Sequence, residues 1–205
     1  MAELRLDPNA ELKAPARATV IAAILDKSGS MAPLQYEVIS GFNKFLAEQQ
    51  AVPGEARIHV TLFDTSVVHH DRGSDVRAAK PLDGTSYQPG GMTALLDAVG
   101  ATLSALRSDY GKGDDVMVLI VTDGQENSSH RFKRDDVSGM IDAARSDGWE
   151  FMFMGADETA WSEAANMGIS ASSVSTYTHD AEGVHAAYAQ MSACVSEKRE
   201  GKKTR

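Results

Sequence analysis

Residues 19–31 read TVIAAILDKSGSM, and this stretch decides the fold. Thr19–Leu25 is an unbroken apolar, β-branched run with no polar alternation. Such a run fits a strand covered on both faces, and strands of that kind belong to parallel sheets packed between helices. The run ends abruptly in Asp26-Lys27-Ser28-Gly29-Ser30-Met31. In open α/β sheets the ground beyond the carboxyl ends of the strands is where ligands bind, so these polar residues stand where chemistry is expected.

Outward from this stretch the pattern repeats. Apolar residues at Leu34, Val38, Ile39, Phe42, Phe45 and Leu46 have helical spacing, which predicts a helix over Leu34–Gln50 that ends before Pro53. Arg57–Phe63 alternates like a strand, and Ser66–His70 reads as a short partner strand. Asp71–Gly91 is rich in Gly, Pro, Asp and Ser and reads as loop, with one short helix near Asp75–Ala79. Helices are predicted at Thr93–Arg107, Arg134–Arg145, Thr159–Met167 and Ala181–Lys198, and strands at Val116–Val121, Trp149–Met154 and Ser172–Tyr177. Strands alternating with helices predict an α/β protein, a mostly parallel sheet with helices on both faces.

Composition bounds the function. The chain has 205 residues, a net charge of −9 and 42% hydrophobic residues, the profile of an ordinary globular domain. The acidic balance disfavours nucleic-acid binding, which needs clustered Lys and Arg. The counter-example is the end: Glu197–Arg205 carries five basic and two acidic side chains. That tail reads either as an arm for nucleic acid or an acidic partner, or as a solvated terminus, the reading favoured here. The single cysteine, Cys194, excludes an intramolecular disulfide and a Cys-rich zinc site. Residues 1–17 contain no signal-peptide core and no run is long enough to span a bilayer, so no membrane association and a cytoplasmic location are expected.

Three segments carry the chemistry. The first is Asp26–Met31. The second is Gly90-Gly91-Met92-Thr93, which presents a hydroxyl where a helix begins, and the third is Thr122-Asp123-Gly124, at the end of the second buried strand. Together they offer Asp26, Ser28, Ser30, Thr93 and Asp123, all hard oxygen donors with no His or Cys among them. That donor set suits Mg²⁺ or Mn²⁺ better than zinc. Two carboxylates neutralise a divalent ion, while hydroxyls leave its Lewis acidity largely intact and a position open for a partner's Asp or Glu. Direct coordination by Thr93, with Asp123 behind a water, would make the ion more electrophilic. Lys27 projects from the same loop and could steer the incoming acid. Each piece also has an ordinary reading: Ser28–Ser30 as a turn with a helix cap, Thr93 as an N-cap, Asp123-Gly124 as a turn. Asp97, on the helix face of Thr93, is either a partner behind the metal ligands or a solvated or capping residue. Glu126 stands either on the rim of the site or in a solvent-facing loop. His69 and His70 point to opposite faces of a strand, and His179 and His185 have no zinc spacing.

DKSGSM, GMTALLDA and VTDGQENSS resemble, in order and spacing, the three parts of a von Willebrand factor A domain with a metal-ion-dependent adhesion site. The resemblance runs from about Thr19 to Val195 and is strongest to small stand-alone bacterial and phage-type members. It implies residues 1–18 as an extension, 19–195 as the domain and 196–205 as a basic tail. It also implies a three-layer, doubly wound, mostly parallel six-stranded sheet with one short antiparallel edge strand, Ser66–His70. Asp26, Ser28, Ser30, Thr93 and Asp123 become metal ligands for Mg²⁺, with Mn²⁺ or Ca²⁺ as substitutes. The implied function is metal-dependent protein interaction with an unidentified protein that offers an acidic side chain. Catalysis is not expected: the chain has no phosphate-binding G-x-x-x-x-G-K-[ST] loop, no G-x-G-x-x-G after a strand and no G-x-S-x-G elbow. A metal-dependent hydrolase and a nucleic-acid accessory protein using the tail are the alternatives.

Overall fold

All eight residues of Thr19–Asp26 (β1) are buried, as a strand without polar alternation must be. The computed structural model describes residues 18–156 and 159–201. After β1 come α1 (Gln35–Ala51), β2 (Ala56–Phe63), β3 (Val67–Asp75), α2 (Leu95–Asp109), β4 (Val116–Thr122), α3 (Arg134–Ser146), β5 (Glu150–Gly155), α4 (Thr159–Asn166), β6 (Val174–Thr176) and α5 (Ala181–Arg199). The strand order is β3-β2-β1-β4-β5-β6. Every pairing is parallel except β2 with β3, so the expected six-stranded, mostly parallel α/β sheet with one antiparallel edge strand is what forms.

Two cores sandwich the sheet. Ile21, Ala23 and Leu25 of β1 meet Val38, Phe42 and Phe45 of α1 and Val184, Tyr188 and Met191 of α5. Val20, Ala22 and Ile24 point the other way, onto Leu95, Val99 and Leu103 of α2 and Val137 and Ile141 of α3. β5 divides in the same manner, Met154 going to the first core and Phe151 and Phe153 to the second. Because β1 is flanked by β2 on one side and β4 on the other, the chain leaves β1 and β4 into neighbouring loops at the sheet's carboxyl end. That is the switch point where the fold leaves a crevice.

Three expectations need correction. β3 extends to Asp75, well beyond the expected His70, and takes in residues read as loop. An edge strand needs backbone pairing and no apolar run, and this one is mostly half-buried or exposed and kinked by two register shifts against β2. Only the 3-10 turn Val76–Ala78 remains of the short helix expected near Asp75–Ala79. At the other end, α5 continues through Arg199, so the start of the basic tail is not solvated. Lys198 pairs with Asp115 at 2.7 Å and Glu150 at 2.5 Å, and Arg199 donates to the carbonyls of Gln49 and Val52. Residues 1–17 and 202–205 of the expected extension and tail lie outside the described residues. No described helix is long and apolar enough to cross a membrane.

Candidate metal centre

The end of β1 turns sharply. The Asp26 carboxylate accepts the backbone N–H of Ser28 at 2.7 Å through one oxygen and the Thr122 hydroxyl at 2.6 Å through the other. Asp26 is only 1% exposed, and burial pushes its carboxyl up to about 6. The hydrogen bonds from Thr122 and Ser28 oppose that shift, and the charge of Asp123 adds to it. The next loop follows immediately as the 3-10 turn Gly29–Leu34. Ser28 occupies its capping position, yet its side chain makes no capping bond. Its hydroxyl lies 3.1 Å from that of Ser30, and Ser30 donates to one Asp123 oxygen at 2.8 Å. Since Ser30 gives its proton to Asp123, Ser28 donates to Ser30.

Thr93 comes in from the loop before α2. It is not that helix's cap: Ala94 holds the capping position, with no side-chain cap bond. Thr93 is 3% exposed and is clamped through its backbone by Asn127, which accepts its N–H at 2.8 Å and donates to its carbonyl at 3.1 Å. Gly124 keeps the space between the loops open. A Cβ there would stand 3.1 Å from the Thr93 hydroxyl and 3.9 Å from an Asp26 oxygen. Backbone bonds from Gly29 to the Gly91 carbonyl and from Gly90 to the Lys27 carbonyl lock the first loop to the second. Asp26, Ser28, Ser30, Thr93 and Asp123 are thus brought together by three loops at one end of the sheet.

This donor set fits a hard divalent cation. Adjacent ligands on an octahedral ion with bonds near 2.1 Å stand about 3 Å apart. The Ser28–Ser30 and Ser30–Asp123 separations are 3.1 and 2.8 Å. Among the described residues no three His, Cys, Asp or Glu side chains converge to hold an ion. The cluster is two carboxylates with hydroxyls beside them, an all-oxygen set of the kind a hard divalent cation takes.

The three neighbours singled out in the sequence have other work. Lys27 is ion-paired to Asp64, not aimed at the crevice. Asp97 accepts the backbone N–H groups of His130, Arg131 and Phe132, each at 2.9 Å. Burial works against its ionisation, but these three donors and Arg131 outweigh it and hold the carboxyl below its usual range. Glu126 is neither rim nor solvent-facing: its carboxylate accepts the N–H of Leu96 at the start of α2 and those of Ser128 and Ser129. Both carboxylates are loop braces.

The sequence reading missed His179. Its Nε2 lies 2.8 Å from the second oxygen of Asp123, whose side chain is 2% exposed. Tyr87 and Tyr177 were missed as well: they donate to the carbonyls of Asp26 and Thr122 from beneath, and burial raises both phenols. No local spacing announces these contacts, because 56 residues separate His179 from Asp123 and 61 separate Tyr87 from Asp26.

Comparisons agree with this architecture. The model of the von Willebrand factor type A domain matches residues 21–190. The PilB minor pilin of Streptococcus sanguinis superposes with a TM-score of 0.68 at 9% identity, over 94% of this chain and 64% of that one. The vWF domain of the type V pili tip protein Mfa5 from Porphyromonas gingivalis gives 0.67 at 10% identity, over 92% and 97%. Manganese-loaded TRAP protein from Plasmodium vivax gives 0.58 at 14% identity, over 83% and 72%. The chain thus spans about two thirds of the pilin's length. No curated protein matches the sequence.

Proposed function

The chain belongs to the von Willebrand factor type A domain family, and from that premise we propose that it is a Mg²⁺-dependent protein-interaction module. Asp26, Ser28, Ser30, Thr93 and Asp123 would hold the ion, and Mn²⁺ or Ca²⁺ would substitute for it. When bound, the ion supplies a Lewis-acidic point that accepts a carboxylate. The partner is a protein presenting an Asp or Glu side chain, and the proposed compartment is the cytoplasm. The small stand-alone bacterial or phage type remains part of the proposal, on the residues GGMTALLDAVG and WEFMFMGAD. One observation carries the reading: two carboxylates and three hydroxyls from three separate loops meet at the switch point, and none of the hydroxyls is used as a helix cap. Two large apolar side chains at the same end, Tyr36 and Met92, are 75% and 52% exposed and suit a protein surface better than a small solute.

The arrangement at Asp123 is not that of a serine-type triad. Ser30, Asp123 and His179 are in contact, but the carboxylate lies between the hydroxyl and the imidazole. A nucleophilic triad needs the imidazole in the middle, where it can take the hydroxyl's proton. The test is capture of a partner in Mg²⁺. Release by EDTA is expected, as is loss of capture in Thr93→Ala with an unchanged melting curve. Binding that survives both treatments would overturn the proposal, as would ester or phosphoester turnover that disappears in Asp26→Ala.

A further inference from the structure

The two oxygens of Asp123 face different neighbours. One accepts the Ser30 hydroxyl at 2.8 Å, on the side of Ser28; the other meets Nε2 of His179 at 2.8 Å. We infer that His179 is a positioning residue that reserves one oxygen of Asp123 and leaves a single oxygen to face the ion. This rests on the metal-binding reading above and adds to it the way this carboxylate is presented.

A carboxylate free on both sides can grip a cation with both oxygens, and each extra contact displaces a water. A carboxylate whose outer oxygen is held by an N–H offers the cation only its other oxygen. The Asp123 side chain is 2% exposed, so solvent has little access to compete with the imidazole.

The loop around His179 is built to hold it still. Asp180 caps α5 by accepting the Gly183 N–H at 2.8 Å, and Thr178 donates to the same carboxylate at 3.0 Å. Gly183 is packed so tightly that a Cβ there would lie 2.0 Å from the Thr178 carbonyl. On the other side Tyr177 is fixed to the Thr122 carbonyl at 3.3 Å, one residue before Asp123. The imidazole therefore approaches from a braced turn. His179 is 39% exposed at its side chain, so its substitution leaves both cores untouched.

The experiment titrates the full chain with Mn²⁺ alone and counts the exchangeable waters on the bound ion by ¹⁷O-water magnetic resonance. The proteins are wild type, His179→Ala and His179→Gln, the last keeping an N–H donor at similar reach. The inference expects one fewer water in His179→Ala, because Asp123 turns to bind with both oxygens, and the wild-type count in His179→Gln. Affinity should shift by about threefold to tenfold in His179→Ala and return in His179→Gln. Were His179→Ala to unfold, His179→Phe replaces it, with the same expected loss of one water. A merely structural role would move stability but not the water count. Equal water counts with and without the donor overturn the inference while leaving the metal site intact. A wild-type chain that binds no Mn²⁺ overturns the metal-binding reading and this inference with it.

Discussion

Two pairs of carboxylates stand at the same end of the sheet, and they differ in what satisfies them. Asp97 and Glu126 take backbone N–H groups almost exclusively: His130, Arg131 and Phe132 for the first, Leu96, Ser128 and Ser129 for the second. Asp26 and Asp123 are met largely by side chains: Thr122 for the first, Ser30 and His179 for the second, with one backbone N–H from Ser28. Backbone donors are fixed by the fold and cannot turn away without unfolding the loop. Hydroxyls rotate at little cost and become ligands themselves. The first pair shapes the loops, and the second is the pair proposed to exchange its hydroxyl partners for a cation.

The difference is open to direct attack. The largest effect is expected at Asp97: Asp97→Ala leaves three N–H groups without their acceptor and should cost about 3–5 kcal/mol in denaturant unfolding with EDTA present. A loss below about 1 kcal/mol would erase the distinction between the pairs.

Asp26 should behave in the opposite way. Its folded carboxyl is raised to about 6 from 3.8, so between those values the folded chain holds more protons than the unfolded one. The stability of the metal-free protein is then full below about pH 4 and falls as pH rises, by about 3 kcal/mol once pH passes 6. Saturating Mg²⁺ should flatten or reverse that slope. In Asp26→Asn the slope should disappear, with stability at pH 7 no lower than wild type and Mg²⁺ affinity at least 100-fold weaker by calorimetry. An Asp26→Asn protein that is both less stable and still binds Mg²⁺ would place Asp26 with the braces.

The smallest expected effect sharpens the boundary between the pairs. In Gly124→Ala the new methyl presses on the Thr93 hydroxyl from 3.1 Å and comes within 3.9 Å of Asp26. Mg²⁺ affinity should fall by about tenfold, near 1.4 kcal/mol, with stability nearly unchanged. An unchanged affinity would mean the space beside Thr93 is not part of the site.

Much of this was legible in the residues. The buried strands announced themselves by unbroken apolar runs, and the helices by their spacing. Asp26, Ser28, Ser30 and Asp123 follow buried strands so closely that the strand ends place them. The edge strand is half-legible: Ser66–His70 reads as strand, but Asp71–Asp75 does not, since pairing along one edge asks nothing of side-chain polarity. Lys27, Asp97 and Glu126 stand out by their nearness in sequence, which leaves their roles open. Nearness in sequence does not reveal that Asp64 lies beside Lys27, or that the 126–132 loop folds back onto the start of α2.

The sequence by itself determined the strand and helix types and the alternation that makes a mostly parallel sheet, because each is read from residues a few positions apart. Only the tertiary structure decided which carboxylates are held by backbone N–H groups and which are met by side chains. It alone brought His179 onto Asp123 and the two tyrosines beneath the site. The physical reason is that a carboxylate's role is set by the donors that reach its oxygens. Here several of the deciding donors arrive from loops more than 30 residues away, with no periodic pattern to signal them.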